Sequence, residues 1–209
     1  MLTEFLISAL VTLLVVVDPI GLVPIFIGIT HGLPGTARRS VALRASVIAA
    51  IVLIGAALIG EWLLRTLSIS LPAFRIAGGL LLFSIASEMV FGLRTQRQSQ
   101  TAEQAIDERV RNIAAFPLAI PLMAGPGAIT ATVLLAGRSQ GDLARLGLLI
   151  GVIVAVVLLC VIAFLLAERI GRLFGTTGNI VLSRLLGVLL AALAVQFVVD
   201  AVRTLLAAG

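Results

Sequence analysis

Two short motifs, Asp18-Pro19 and Gly125-Pro126, sit 107 positions apart, each in the middle of a long apolar stretch. The same step carries Arg38 onto Arg145, Glu61 onto Glu168 and Arg65 onto Arg172. Past a two-residue insertion, a step of 109 carries Arg75 onto Arg184 and Gly78 onto Gly187. Leu, Ala and Val align with one another easily, but Arg, Glu, Pro and Gly in register do not, so the chain reads as one unit used twice. Each copy holds three apolar runs. Three is odd, so the second copy enters a bilayer from the opposite side. Inverted repeats with helices interrupted near the midplane are the pattern of secondary transporters.

Composition sets the class. Hydrophobic residues make up 60% of the 209, charged residues 12%, and the mean hydropathy is +1.21. A soluble domain of this length needs far more polar surface. The apolar runs are residues 5–29, 41–64, 71–91, 113–136, 146–167 and 180–206. Each is close to or above the ~20 residues that cross a ~30 Å hydrocarbon core as a helix. No run alternates as a barrel strand does, and helices satisfy their own backbone groups in lipid. The expected fold is all-α: six transmembrane helices in two inverted three-helix repeats, with helices one and four broken near the midplane. The repeats occupy residues 1–92 and 113–209. Residues 93–112 mix arginines with Glu103, Asp107 and Glu108 and read as a polar cytoplasmic linker.

The start of the chain lacks a basic segment and a small-residue cleavage pattern, so the first helix is expected to stay in the protein rather than act as a cleaved signal. All 15 basic residues are arginine. Ten follow runs one, three and five; Arg65, Arg75, Arg138, Arg145 and Arg203 fall on the other side. The positive-inside rule places the side with ten in the cytoplasm and both termini in the periplasm. The net charge of +5 follows from this topology, and arginines spread over many loops give no nucleic-acid patch. Cys160 stands alone within the fifth run, which excludes a disulfide framework and a cysteine metal site.

The candidate site lies where the chain breaks its own helices. The first run carries Asp18, Pro19, Gly21 and Pro24. The fourth carries Pro117 and Pro121, then Gly125-Pro126-Gly127 and Thr130. Proline removes a backbone donor and clashes with the preceding turn, and adjacent glycine loosens the helix further. An opened helix exposes a positive N-terminal end and a negative C-terminal end, which can hold a carboxylate and an ammonium. Asp18, Pro19, Gly21, Pro24, Gly125, Pro126, Gly127 and Thr130 are the expected substrate-binding residues. A carboxylate at the depth of Asp18 costs roughly 2.5–3.5 kcal/mol on insertion scales. Asp18 therefore has two readings: a proton or cation coupling site, or a cap on the half-helix that follows it.

Other polar residues have plainer readings. Glu61 with Arg75, and Glu168 with Arg184, flank equivalent turns and are expected to brace the helical hairpins as interfacial ion pairs. Ser84, Ser87 and Glu88 share a helix face that lines a cavity or bonds between helices. Gly147 and Gly151 form a small-residue face suited to close packing or a dimer contact. There is no Ser/His pair, intramembrane Asp pair or His/Glu metal cluster, so an enzyme is not expected, and no cofactor or metal is implied.

The motifs Asp18-Pro19-x-Gly21-x-x-Pro24-x-Phe26 and Pro121-Leu122-x-x-Gly125-Pro126-Gly127-x-Ile129 resemble the MarC family of bacterial inner-membrane proteins. The resemblance covers essentially the whole chain. The family overlaps the six-helix neutral amino acid transporter group, which implies a secondary transporter of small neutral amino acids such as glycine or alanine, with proton coupling. The family motif often carries Asn where this chain has Asp18. A non-transporting membrane scaffold or regulator is the alternative. The expected partners are a small amino acid and the lipid bilayer, with homo-oligomerisation left open and no nucleic acid.

Overall fold

The computed structural model describes residues 2–94, 96–100, 113–139 and 142–208. Among these residues every regular element is helical. Most of the expected linker, residues 101–112, lies outside them. In chain order the helices are α1 (Leu2–Val17), α2 (Leu22–Ile29), α3 (Gly35–Thr66) and α4 (Leu71–Phe91). A proline-bearing segment, Ala114–Met123, precedes α5 (Pro126–Gly137), α6 (Leu143–Leu165) and α7 (Ala167–Ala208). Helices α3, α4 and α6 and the stretch Gly178–Ala207 of α7 are each long and apolar enough to span a membrane. Two bent pairs complete six spans: α1 with α2 at 41°, and Ala114–Met123 with α5 at 56°. The chain is a multi-pass integral membrane protein.

Local chemistry sets the helix ends. Ser70 caps α4 by accepting from the Ala73 amide at 3.3 Å, and Asp142 caps α6 by accepting from Ala144 at 2.9 Å. Gly92, at φ 77°, ends α4 in the left-handed conformation that glycine adopts without penalty. Inside α7, Gly175 at φ 57° separates a short first section from the membrane-length remainder.

Helix α5 lies at the centre, with every residue from Thr130 to Gly137 buried. Leu13 of α1, Leu53 of α3, Leu82 and Met89 of α4, and Ile153 of α6 are fully buried with it. The outer faces carry exposed Ile51, Trp62, Leu80, Leu158 and Leu185, as lipid-facing surfaces do. Helices α4 and α7 run together over a long contact made close by glycine. A Cβ on Gly79 would lie 2.8 Å from the Ala194 carbonyl oxygen, and one on Gly187 would lie 2.8 Å from the Met89 Cβ. Small residues allow this approach where lipid offers no hydrophobic drive between helices. Gly147 and Gly151 have no neighbour within 4 Å of such a Cβ, so that small-residue face is not used for packing among the described residues.

The expected hairpin braces do not form. Glu61 pairs with Arg65 one turn away, at 2.6 Å, instead of with Arg75. Glu168 pairs with Arg38 at 2.6 Å instead of with Arg184, which ties the two halves of the chain together. Arg75 sits inside the helix after that of Glu61, and Arg184 lies further along α7, beyond the kink at Gly175.

Candidate functional site

The first break is built around Asp18. Its φ of 54° is left-handed, a region that Asp tolerates better than most side chains. Its N–H still bonds Leu14 O at 2.9 Å and so closes α1, while its carbonyl accepts from Leu22 at 3.1 Å. The carboxylate Oδ1 accepts from the Gly21 amide at 3.0 Å. Asp18 is thus a cap in geometry, 6% exposed. A side chain at Gly21 would run into that carboxylate and displace the cap. The break ends there. Pro24 falls in the first turn of α2, where no intrahelical donor is needed, so it does not extend the break as its spacing implies.

The second break is looser. Phe116 and Ile120, each preceding a proline, have extended φ/ψ, and both following peptide bonds are cis. The bonds Leu118 N–H to Ile113 O (3.4 Å) and Ala124 N–H to Ala119 O (2.8 Å) skip five residues. Gly125 then precedes α5 in extended conformation, and a Cβ there would strike the Pro121 carbonyl. Pro126 opens α5 at its first position, where its missing N–H costs nothing. No side chain caps this end of α5.

The breaks come together. A Cβ on Gly127 would collide with Ile85 of α4 and lie 3.4 Å from Val16, two residues before Asp18. Beside them is a cavity of about 100 Å³ lined by Pro121–Met123, Gly125–Ala128, Val16, Ile85, Glu88 and Arg94. Its mouth carries Arg97 and Gln98, so it opens at the end of the molecule where the chain leaves α4. Glu88 pairs with Arg97 there at 2.6 Å. Of the residues expected at the site, Gly125, Pro126 and Gly127 line the cavity. Asp18, Pro19, Gly21 and Pro24 are not on its wall, and Thr130 packs its methyl group toward Gly78.

Arg94 is the site residue that sequence reasoning misses. By position it belongs with the loop arginines, yet it is 8% exposed and turned inward. Its guanidinium donates to Val16 O at 2.5 Å and to Met89 Sδ at 2.9 Å. It thereby satisfies a carbonyl at the broken end of α1 and sets a buried cation on the cavity wall within electrostatic reach of Asp18. The one signal in the sequence is Gly92, which can reverse the chain immediately after α4.

The opposite end is filled. Phe197, 109 positions beyond Glu88, is fully buried beneath Arg138, whose guanidinium carbon is 4.5 Å from the ring centroid. Arg138 also bonds Asp200 at 2.9 Å and reaches Ser8 at 3.5 Å, bridging α5, α7 and α1.

Comparison with known proteins identifies the family. Residues 3–206 match the family described as MarC family integral membrane protein. The chain belongs to the MarC family. It is 37% identical to a UPF0056 membrane protein of Methanocaldococcus jannaschii, over 96% of this chain and 97% of that one. A UPF0056 membrane protein of Aquifex aeolicus is 36% identical, over 96% and 93%. The UPF0056 membrane protein YhcE of Escherichia coli is 35% identical, over 91% and 88%. No solved structure matches.

Proposed function

We propose that this MarC family protein is a secondary transporter of small neutral amino acids such as glycine and alanine. One observation carries the reading. At the first break the Asp18 carboxylate occupies the Gly21 amide. At the second break the equivalent of Asp18 is Gly125, which has no side chain, and the equivalent of Gly21 is Ala128. The end of α5 therefore lacks the carboxylate that its repeat partner supplies from within. A substrate carboxylate fits that position, held by uncapped amides, the helix dipole and Arg94. The carbonyl end of Pro121–Met123, on the same wall, suits an ammonium group.

A cavity of about 100 Å³ favours a substrate with little side chain. With Arg138 and Phe197 closing the far end, this conformation reads as one open on the linker side. The arginine distribution supports a cytoplasmic position for that side in a bacterial inner membrane, with both termini periplasmic. The protein does no covalent chemistry in this account and needs no cofactor.

Ligand-dependent melting of the detergent-purified protein tests the reading, since a ligand bound only to the folded state raises stability. Glycine and alanine should stabilise it, and their methyl esters, which lack the carboxylate, should not. Equal shifts from acid and ester would remove the α5 end from the account.

A further inference from the structure

A second cavity, of about 350 Å³, lies where the end of α2 and the start of α3 meet the junction of α6 and α7. Helix ends converge there, so it sits at the level where the spans leave the hydrocarbon. Its inner wall is apolar: the rings of Phe26 and Phe164 stack with centroids 4.6 Å apart and planes 16° from parallel. Its outer wall is cationic, with Arg38, Arg39 and Arg169 around it. Among the described residues Glu168 is the single carboxylate on this wall, and it is bonded to Arg38, whose Nε also donates to Thr30 O at 3.2 Å. Arg39 and Arg169 have no carboxylate partner among the described residues. The first amides of α3 also lack a side-chain cap.

Three guanidiniums against one carboxylate leave an unbalanced positive charge at a boundary of low dielectric. Exposed Leu165 and Leu166 join the cavity to the lipid-facing surface. A free anion answers the charge but leaves the apolar wall without a partner, whereas an amphiphile answers both. We propose that this groove binds an anionic phospholipid, with its phosphate between Arg39 and Arg169 and its acyl chain along the apolar wall. Arg39 belongs to the first repeat and Arg169 to the second, so the lipid would brace the two halves beside the Arg38–Glu168 pair.

The test uses protein purified in a neutral detergent and stripped of lipid, with melting followed on adding phosphatidylglycerol, phosphatidylcholine or inorganic phosphate. Phosphatidylglycerol should give a saturable rise in melting temperature, and the other two should give little. The Arg39→Ala/Arg169→Ala variant should melt normally without lipid and lose that rise. Arg65→Ala/Arg203→Ala, with the same charge removed elsewhere, should retain it. Equal rises from the two lipids, or a full rise in the Arg39→Ala/Arg169→Ala variant, would overturn the proposal. A rise from inorganic phosphate equal to that from phosphatidylglycerol would also overturn it in favour of a free-anion site.

Discussion

The guanidinium of Arg94 donates to the main-chain carbonyl of Val16, 78 residues earlier, at 2.5 Å. The contact joins the chain just past the third span to the broken end of the first. It supplies a partner to a carbonyl that the break strands, and sets a buried cation near Asp18. Arg94→Ala should therefore destabilise the protein by about 1.5–3 kcal/mol, the range for losing a charged hydrogen-bond partner from a buried group. Lysine should not restore it, because one ammonium does not reproduce the fork that reaches both Val16 and Met89. Melting in detergent reads this directly. A native melting temperature for Arg94→Ala would show that the contact carries no weight.

Asp18 separates two roles under substitution. Its Oδ1 already accepts from Gly21, and Asn keeps that acceptor. Asp18→Asn should melt and transport like the native chain, while Asp18→Ala should lose about 0.5–2 kcal/mol as a cap does. If Asp18→Asn instead exchanges substrate but fails to accumulate it on a proton gradient, the carboxylate is the coupling site and not only a cap.

Glycine at position 127 keeps the space between Ile85 and Val16 open. A Cβ there overlaps Ile85, so Gly127→Leu should close the cavity and abolish substrate-dependent stabilisation while the protein still inserts. Gly147, with open space around it, is the matched control, and Gly147→Leu should be close to neutral. Similar losses from both would mean that leucine disturbs the fold in general.

The breaks are legible in the sequence because proline and glycine act locally: the residue types at 18–21 and 121–127 are enough to interrupt a helix. Where each break stops is not. Pro24 looks like a breaker in sequence and is harmless in the first turn of α2, a distinction that depends on where α2 starts. Arg94 is illegible for a stronger reason. An arginine after an apolar run satisfies the topology rule equally well facing water or facing inward, and only the inward turn of the chain after α4, which brings Arg94 to Val16, decides. Ion pairs divide in the same way. Glu61–Arg65 follows from one helical turn of spacing, whereas Arg38–Glu168 spans 130 residues and depends on how the halves meet.

The filled end makes its own prediction. Arg138 holds α5, α7 and α1 together through Asp200, Phe197 and Ser8, so opening toward that side must separate them. With Cys160 replaced by alanine, Arg138→Cys/Asp200→Cys should be arrested by a short bifunctional thiol reagent. Uptake should stop, while binding from the linker side should persist. Both groups are partly exposed, at 25% and 35%, so the native pair itself should contribute no more than about 1 kcal/mol. Undiminished uptake in the fully cross-linked protein would show that this end does not move.

If the chain moves small neutral amino acids across a bilayer, the site between its two breaks is their path. Uptake of labelled glycine and alanine into proteoliposomes, with and without an imposed pH gradient, tests that transport most directly. Protein-dependent uptake of these two should exceed that of larger amino acids, rise further with the gradient and be absent in Gly127→Leu. No uptake of any amino acid under either condition, by protein that is folded and inserted, would contradict it.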